Sequence, residues 1–226
     1  MNMKVIKIAV SVITLAILIF FHEAIISLGL SFRLSFTFSK ILPYMLEFFA
    51  VCLIIFQVYS QYLMGTSLTT RRLVSIFILF GGSGIAFAIH PIYEGDFSHE
   101  YREIMLAGEN SETFQHGLTM IAMPGCSHCY ARLEEMKQVS RIYPSLPMYV
   151  LVINEDVYAL EEYRERSEGL FQVDLFPKST LLKTIIQEGY PNLIYKANDG
   201  TSKLNNWSNN GFGSASWDFI LESEGL

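Results

Sequence analysis

The sequence predicts an α-helical transmembrane region of about three spans, followed by an α/β domain. The first ninety of the 226 residues contain three long apolar stretches. The remaining residues alternate short apolar runs with helical patterns, as in domains that pack helices on a sheet. The two parts also differ in charge: residues 1–90 carry six Lys/Arg and two acids, whereas the rest carries ten basic and twenty acidic residues.

The three apolar stretches lie at about residues 5–30, 42–62 and 73–90. A membrane-spanning helix needs roughly 20 apolar residues, so each stretch is long enough. Each must be helical, because a lone strand in lipid leaves its backbone polar groups unsatisfied. A cleaved signal peptide is the alternative for the first stretch, which begins after basic residues. No small-x-small cleavage site follows it, and a retained helix is the preferred interpretation.

The distribution of Lys and Arg between the short loops predicts the orientation. The N-terminus and the 65–72 loop share one side and hold four basic residues, whereas the 31–41 loop on the other side holds two. The positive-inside rule therefore places the N-terminus in the cytoplasm. We expect a multi-pass protein of a bacterial inner membrane, in contact with lipid, whose C-terminal domain is periplasmic. Disulfides persist in that compartment.

A few polar residues interrupt the apolar stretches near their predicted outer ends: His22, Glu23, Glu47 and His90. Ionisable residues in a bilayer are functional candidates. We expect these side chains to be hydrated at the membrane–water interface. The alternative is that they form a polar cluster that contacts a quinone or a partner. Cys52 is alone in mid-span and is expected to be a small core residue. The Gly81-Gly82-Ser83-Gly84 run favours close helix packing.

The most informative motif is the tetrad Cys126-Ser127-His128-Cys129, between the apolar run Leu118–Met123 and the helical pattern Ala131–Ser140. Two thiols three residues apart at a strand-to-helix junction suit reversible disulfide chemistry. The helix N-terminus offers unpaired N–H groups and a positive dipole end, which favour a thiolate on Cys126. Cys129 lies one turn further on and is close enough to form a disulfide with it.

The rest of the C-terminal half predicts a linker followed by an α/β domain. Residues 91–115 are polar and acidic and predict a linker with some helix around 100–106. Residues 116–226 predict the order β–α–β–α–β–α–β–β–α. The strands are expected at 118–123, 148–153, 173–176, 193–196 and 202–206. The first helix is expected from the tetrad to about 143 and the second at 157–168. The third is expected from 179 or 180 to 187, and the last from 214 or 216 to 222. Asn198-Asp199-Gly200 is a strong hairpin turn signal between the last two strands.

This order resembles a thioredoxin fold, in which a CxxC tetrad opens the first helix and a cis-proline precedes the hairpin. Tyr190-Pro191 stands at that position. The segment Phe171–Trp207 is similar to the TlpA-like and peroxiredoxin-like branch, which carries an extra strand–helix insertion before the cis-proline. The resemblance covers roughly residues 115–222. The membrane part is weakly similar to MauE/DoxX-like proteins.

The resemblance implies roles for the residues of the tetrad and of the proline loop. Cys126 would be the nucleophile and Cys129 the resolving cysteine, while Pro191 would face the dithiol. Ser127 and Tyr190 are the expected substrate-docking residues. His128 is a candidate catalytic residue, because histidine at this position resembles strongly oxidising DsbA-like proteins. A thiolate stabilised by His128 would make the disulfide a stronger oxidant than that of thioredoxin.

The sequence also departs from the thioredoxin pattern at three places. Pro124-Gly125 replaces the aromatic-rich residues that usually precede the first cysteine. Met120 stands where thioredoxins have a buried carboxylate, so that proton acceptor is missing. Tyr190 replaces the usual Thr or Val before the proline, which affects how a partner docks.

The sequence predicts a membrane-anchored thiol–disulfide oxidoreductase acting on the thiols or disulfides of extracytoplasmic proteins. Oxidation, reduction and isomerisation all remain open. A non-catalytic thioredoxin-like binding subunit of a membrane complex is the alternative.

A zinc site is disfavoured, because no second CxxC exists and His99 and His116 lack close ligand spacing. We expect no metal and no cofactor. Another membrane redox protein is a candidate partner, whereas the acidic domain offers no basic surface for nucleic acid.

Overall fold

The computed structural model describes residues 3–93, 95–106, 113–153, 157–176, 179–186 and 188–226. The chain divides into two compact units, Met1–Tyr93 and Glu94–Leu226.

The N-terminal unit is helical. Its helices are α1 (Met3–Phe20), α2 (His22–Ser31), α3 (Phe36–Val58), which continues as a π-helical turn (Tyr59–Leu63), and α4 (Leu68–Ile89). The helix from Phe36 to Leu63 and α4 are each long and apolar enough to cross a membrane. The first predicted span is bent by 69° between α1 and α2. The unit therefore has two candidate spans, or three if the bent pair counts as one.

The two long helices begin several residues before the predicted spans. Ser35 caps α3 by accepting a hydrogen bond of 3.2 Å from the Phe38 N–H, and Ser67 caps α4 in the same way from the Thr70 N–H. A serine at this position satisfies one of the backbone donors that a helix start leaves unpaired. The first turns of these helices mix polar and apolar residues, so a search for continuous apolar runs does not reveal them.

Small and polar side chains hold the helices of this unit together. A Cβ atom added at Gly82 would lie 2.8 Å from Cγ2 of the buried Val51, whereas one added at Gly81 or Gly84 would meet nothing within 4 Å. Close packing of α3 on α4 thus depends on one glycine of the predicted run. The Gln57 amide donates a hydrogen bond of 2.9 Å to the Ser11 hydroxyl.

The predicted hydration of His22 and Glu47 is wrong. Their side chains are 2% and 3% exposed, and Nδ1 of His22 lies 3.0 Å from Oε1 of Glu47. Glu47 is roughly 16 Å along α3 from its start, at 1.5 Å per residue, because the helix begins earlier than the apolar run. The two residues are 25 positions apart in the chain, and the folding of α2 against α3 brings them together. Glu23 is exposed and His90 is half-buried.

In its described residues, the C-terminal unit is a six-stranded mixed sheet with four helices. The strands are β1 (Arg102–Met105), β2 (Gly117–Ala122), β3 (Met148–Val152), β4 (Gln172–Leu175), β5 (Asn192–Lys196) and β6 (Lys203–Trp207), and the helices are α5 (Ser127–Ile142), α6 (Val157–Arg166), α7 (Ser179–Ile185) and α8 (Ser214–Ser223). The strand order is β1-β6-β5-β2-β3-β4. β2, β3 and β4 run parallel, whereas the β2–β5, β5–β6 and β6–β1 pairs are antiparallel.

The central strand β2 is buried along its whole length, as expected for a strand covered on both faces. The strands and helices from β2 onward lie within about three residues of their predicted positions. The mixed sheet and its helices are consistent with a thioredoxin-like fold.

The predicted helix around residues 100–106 is wrong, since Arg102–Met105 forms strand β1. This strand pairs with β6, where Arg102 is opposite Asn206 and Ile104 is opposite Leu204. Three of its four residues are exposed, which is typical of an edge strand. Part of the predicted linker therefore belongs to the sheet.

We predict that Gly82→Leu destabilises the N-terminal unit by about 1–3 kcal/mol, because the new side chain must displace Val51. The measurement is the thermal unfolding of the full chain in detergent, followed by far-ultraviolet circular dichroism. Gly84→Leu is the matched control and should unfold at the wild-type temperature or above it. Equal destabilisation by the two variants would contradict the close approach at Gly82.

Candidate active site

The tetrad lies at the junction between β2 and α5, as its sequence context predicts. β2 ends at Ala122 and α5 begins at Ser127, and Gly125 takes a positive φ of 69° in the connecting turn. Cys126 is the N-cap residue of α5. Its Sγ accepts a hydrogen bond of 3.1 Å from the backbone N–H of Cys129. The sulfur therefore satisfies one of the free donors at the helix N-terminus.

Cys126 and Cys129 are joined by a disulfide, with their Cα atoms 5.2 Å apart. This separation is usual for a disulfide. The two residues differ in access to solvent: Cys126 is 8% exposed, whereas Cys129 is fully buried. An incoming thiol therefore reaches Cys126 and not Cys129.

The proline loop lies against the same sulfur. The Tyr190–Pro191 peptide bond is cis, and the carbonyl oxygen of Tyr190 is 3.8 Å from Sγ of Cys126. The sheet explains this proximity, because β5 is antiparallel to β2 and its first residue, Asn192, pairs with Ile121 near the end of β2. The loop that enters β5 must then lie beside the loop that leaves β2.

Two of the predicted site residues lie on the surface. Ser127 and His128 are exposed on the first turn of α5. Neither side chain hydrogen-bonds to a sulfur among the described residues, where the donor to Cys126 is the Cys129 amide. The catalytic role of His128 therefore remains a prediction.

Met120, which stands where thioredoxins have a buried carboxylate, lies inside the sheet. It is fully buried in β2, between Val150 of β3 and Leu193 of β5. No carboxylate of the described residues makes a hydrogen bond to either sulfur.

Two tyrosines that the sequence analysis does not single out fix the turn before the tetrad. The buried Tyr163 donates a hydrogen bond of 2.9 Å to the Met123 carbonyl. Tyr130 donates one of 2.9 Å to Glu162, and the Arg166 guanidinium lies 4.2 Å from its ring centroid. Burial raises the pKa of both phenols, with the Glu162 carboxylate adding to the rise at Tyr130. Both hydroxyls thus stay protonated and serve as donors.

Comparison with known proteins identifies no family. No family model and no curated protein match the chain. Among solved structures, the chain is similar to a secreted Mycobacterium tuberculosis disulfide oxidoreductase homologous to E. coli DsbE, with 14% sequence identity. The match covers 53% of this chain and 100% of that one, with a TM-score of 0.39, which is too low to carry an argument about function. The MauE/DoxX resemblance receives no support from these comparisons.

We predict that Tyr163→Phe destabilises the C-terminal unit by about 1–3 kcal/mol, because it leaves the Met123 carbonyl without its donor. Tryptophan fluorescence of the full chain during urea unfolding measures this unit alone, since Trp207 and Trp217, the two tryptophans of the sequence, both belong to it. Tyr149→Phe is the control, because the Tyr149 hydroxyl has no partner among the described residues. Equal unfolding midpoints for the two variants would show that the bond to Met123 contributes nothing.

Proposed function

We propose that the protein is a membrane-anchored thiol–disulfide oxidoreductase, which exchanges disulfides with extracytoplasmic proteins through Cys126 and Cys129. The observation that supports it is the disulfide at the start of α5, whose outer sulfur caps the helix while the inner sulfur is buried. A purely structural disulfide requires neither the helix cap nor this difference in access.

In the oxidising direction, a substrate thiolate attacks Sγ of Cys126 and the Cys126–Cys129 bond breaks. Cys129 leaves with the electron pair and takes up a proton. A second substrate thiolate then attacks the substrate sulfur of the mixed disulfide, and Cys126 leaves as a thiolate. The substrate loses two electrons and the protein gains them. In the reducing direction, the same steps run in reverse, with Cys126 as nucleophile and Cys129 as the resolving thiol.

The helix start favours the thiolate of Cys126. A helix N-terminus stabilises a nearby negative charge by roughly 0.3–1 kcal/mol, and by about 2 kcal/mol when the charge is partly buried. One pKa unit corresponds to about 1.4 kcal/mol, so the dipole lowers the pKa of a thiol by at most roughly 1.5 units. Stronger acidification needs a local cation, and His128 is the residue we assign to that task.

Substrate docking is assigned to the surface around Cys126. The half-buried Tyr190 and the buried Pro191 belong to the loop beside the sulfur, and the exposed Ser127 follows Cys126 in the chain. A substrate segment bound here contacts the Tyr190 side chain and the backbone of its loop. Tyrosine is larger than the usual Thr or Val, and this favours substrates with a small residue next to the reacting cysteine.

The apolar helices of the N-terminal unit anchor the protein in the inner membrane, and the positive-inside rule assigns the C-terminal unit to the periplasm. After each oxidation the dithiol form must pass two electrons onward. We assign that step to another membrane redox protein. The group of that protein that accepts the two electrons is a disulfide or an equivalent two-electron acceptor.

We predict that Cys126→Ser abolishes both insulin reduction and the refolding of reduced RNase by the full chain in detergent. Cys129→Ser should instead accumulate a mixed disulfide with the substrate, because the attack by Cys126 remains while the resolving thiol is lost. Non-reducing electrophoresis with mass spectrometry detects this adduct. An inactive wild type whose Cys126 resists alkylation near neutral pH would support the non-catalytic binding subunit instead.

We predict that His128→Pro makes the protein more reducing. Loss of the charge destabilises the Cys126 thiolate and with it the reduced form, so the equilibrium constant for reduction by glutathione falls by roughly three- to ten-fold. A ten-fold change is about 30 mV for this two-electron couple. Proline is tolerated in the first turn of a helix, so α5 should be preserved. Ser127→Ala is the control, and an unchanged potential in His128→Pro would exclude the proposed role of His128.

A further inference from the structure

A group of polar side chains lies in the N-terminal unit where α2 begins and α4 ends, against the middle of α3. His22 and Glu23 open α2, Glu47 lies on α3, and His90 caps the end of α4. His22, Glu23 and His90 each offer one metal-ligand atom, and these three atoms lie within 4.8 Å of one another. Such a group on apolar helices requires a physical reason, since burying ionisable side chains is costly.

Hydrogen bonds fix the orientation of both histidine rings. Nδ1 of His22 lies 3.0 Å from the Glu47 carboxylate, and Nε2 of His90 lies 2.9 Å from the carbonyl oxygen of Ile19. Both partners accept hydrogen bonds, so these two nitrogens carry the protons. The lone pairs are then on Nε2 of His22 and Nδ1 of His90. Metal-binding histidines are held in this way by a carboxylate or a carbonyl behind the ring.

The two imidazole rings lie face to face. The rings of His22 and His90 are stacked, with centroids 4.1 Å apart and an interplanar angle of 9°. The stacking places two imidazoles, the commonest metal-binding side chains in proteins, beside each other.

One buried oxygen of this cluster has no partner. Oε1 of Glu47 is bonded to His22, whereas Oε2 is buried and has no hydrogen-bond partner among the described residues. Glu47 is only 3% exposed. A cation bound by the neighbouring side chains would offset the cost of burying this oxygen.

We propose that His22, Glu23 and His90 bind one divalent first-row transition-metal ion, with Glu47 and the Ile19 carbonyl as positioning groups. Two imidazoles and a carboxylate suit Zn²⁺, Fe²⁺ or Cu²⁺, whereas Mg²⁺ and Ca²⁺ prefer oxygen ligands. Three protein ligands leave a coordination position open, as in catalytic metal sites.

Small movements complete this site. Ligand atoms around a tetrahedral metal are about 3.3 Å apart, given metal–ligand bonds of about 2.0–2.2 Å. The three atoms must therefore approach one another by at most about 1.5 Å, with a tilt of one stacked ring. The exposed Glu23 can make most of this movement, and the half-buried His90 can tilt about its bond to the Ile19 carbonyl, while His22 stays fixed by its buried bond to Glu47. An apolar groove of about 490 Å³ adjoins the cluster and supplies no further ligand; it is lined by Ala16, Ile19, Phe20, Ile85, Ile89 and His90.

The test is Zn²⁺ and Co²⁺ binding to the metal-free full chain in detergent. Cys126→Ser/Cys129→Ser is used as the background, so that the tetrad cannot bind the ion and the result does not depend on the proposed redox function. We expect one equivalent of Zn²⁺ by elemental analysis, a ligand-field spectrum for Co²⁺, and no competition by Mg²⁺. His90→Ala and Glu23→Gln should each weaken binding more than 100-fold. Glu47→Gln should weaken it by roughly 10–100-fold, the usual effect of a lost positioning group.

His116→Gln in the same background is the matched control and should bind Zn²⁺ as tightly as its parent. Gel filtration and circular dichroism of each variant without metal show whether its helices are intact. The Co²⁺ spectrum of Glu47→Gln adds a second readout, because a positioning role changes the affinity and leaves the ligand set the same. Absence of stoichiometric binding in the folded parent, or binding that Glu23→Gln and His90→Ala leave unchanged, overturns the proposal.

Discussion

The sulfur of Cys126 has two partners, and the chemistry of the C-terminal unit depends on both. It is bonded to Cys129, and it accepts the Cys129 N–H at the start of α5. A thiolate is a stronger acceptor than a disulfide sulfur, because hydrogen bonds to a charged acceptor are the stronger ones. The cap therefore gains strength when the disulfide opens. The local structure that positions the pair would thus also stabilise the reduced product of the proposed disulfide exchange.

The sheet fixes what surrounds that sulfur. β2 delivers the tetrad at its C-terminal end, and β5 begins beside it because the two strands are antiparallel. The Tyr190 carbonyl is brought to Cys126 by this register and not by any local sequence signal. The hydroxyl of Tyr163, from α6, supports the turn from the other side by binding the Met123 carbonyl. Three separate segments thus surround the sulfur of Cys126, so its surroundings are defined by the sheet.

Local signals were enough to predict much of the fold and the core of the site. The apolar run of β2, the tetrad and the Asp199-Gly200 turn each specify their structure within a few residues. β1 could not be predicted in the same way, because its exposed edge residues become a strand only by pairing with β6, about a hundred positions later. The His22–Glu47 pair is likewise a tertiary contact. Burial of Tyr163 against the turn before the tetrad depends on how α6 packs, which sequence periodicity does not specify.

The two units differ in how completely hydrogen bonds satisfy their buried ionisable side chains. Lys137 in α5 is 5% exposed, and its ammonium group lies 2.8 Å from both Glu134 and Glu168. These hydrogen bonds outweigh burial and raise its pKa, so the cation is fully compensated. Glu47 has one bonded oxygen and one without a partner.

The other buried side-chain atoms without a partner among the described residues belong to neutral groups: Ser39, Gln57, Gln61, Asn192, Asn205, Asn206 and Trp207. An unpaired neutral group costs about 1–3 kcal/mol, and an unpaired charge costs considerably more. The N-terminal unit therefore leaves one oxygen of an acidic side chain uncompensated, next to the stacked rings of His22 and His90. A cation held by the neighbouring ligands, as proposed, would offset the cost of burying this oxygen.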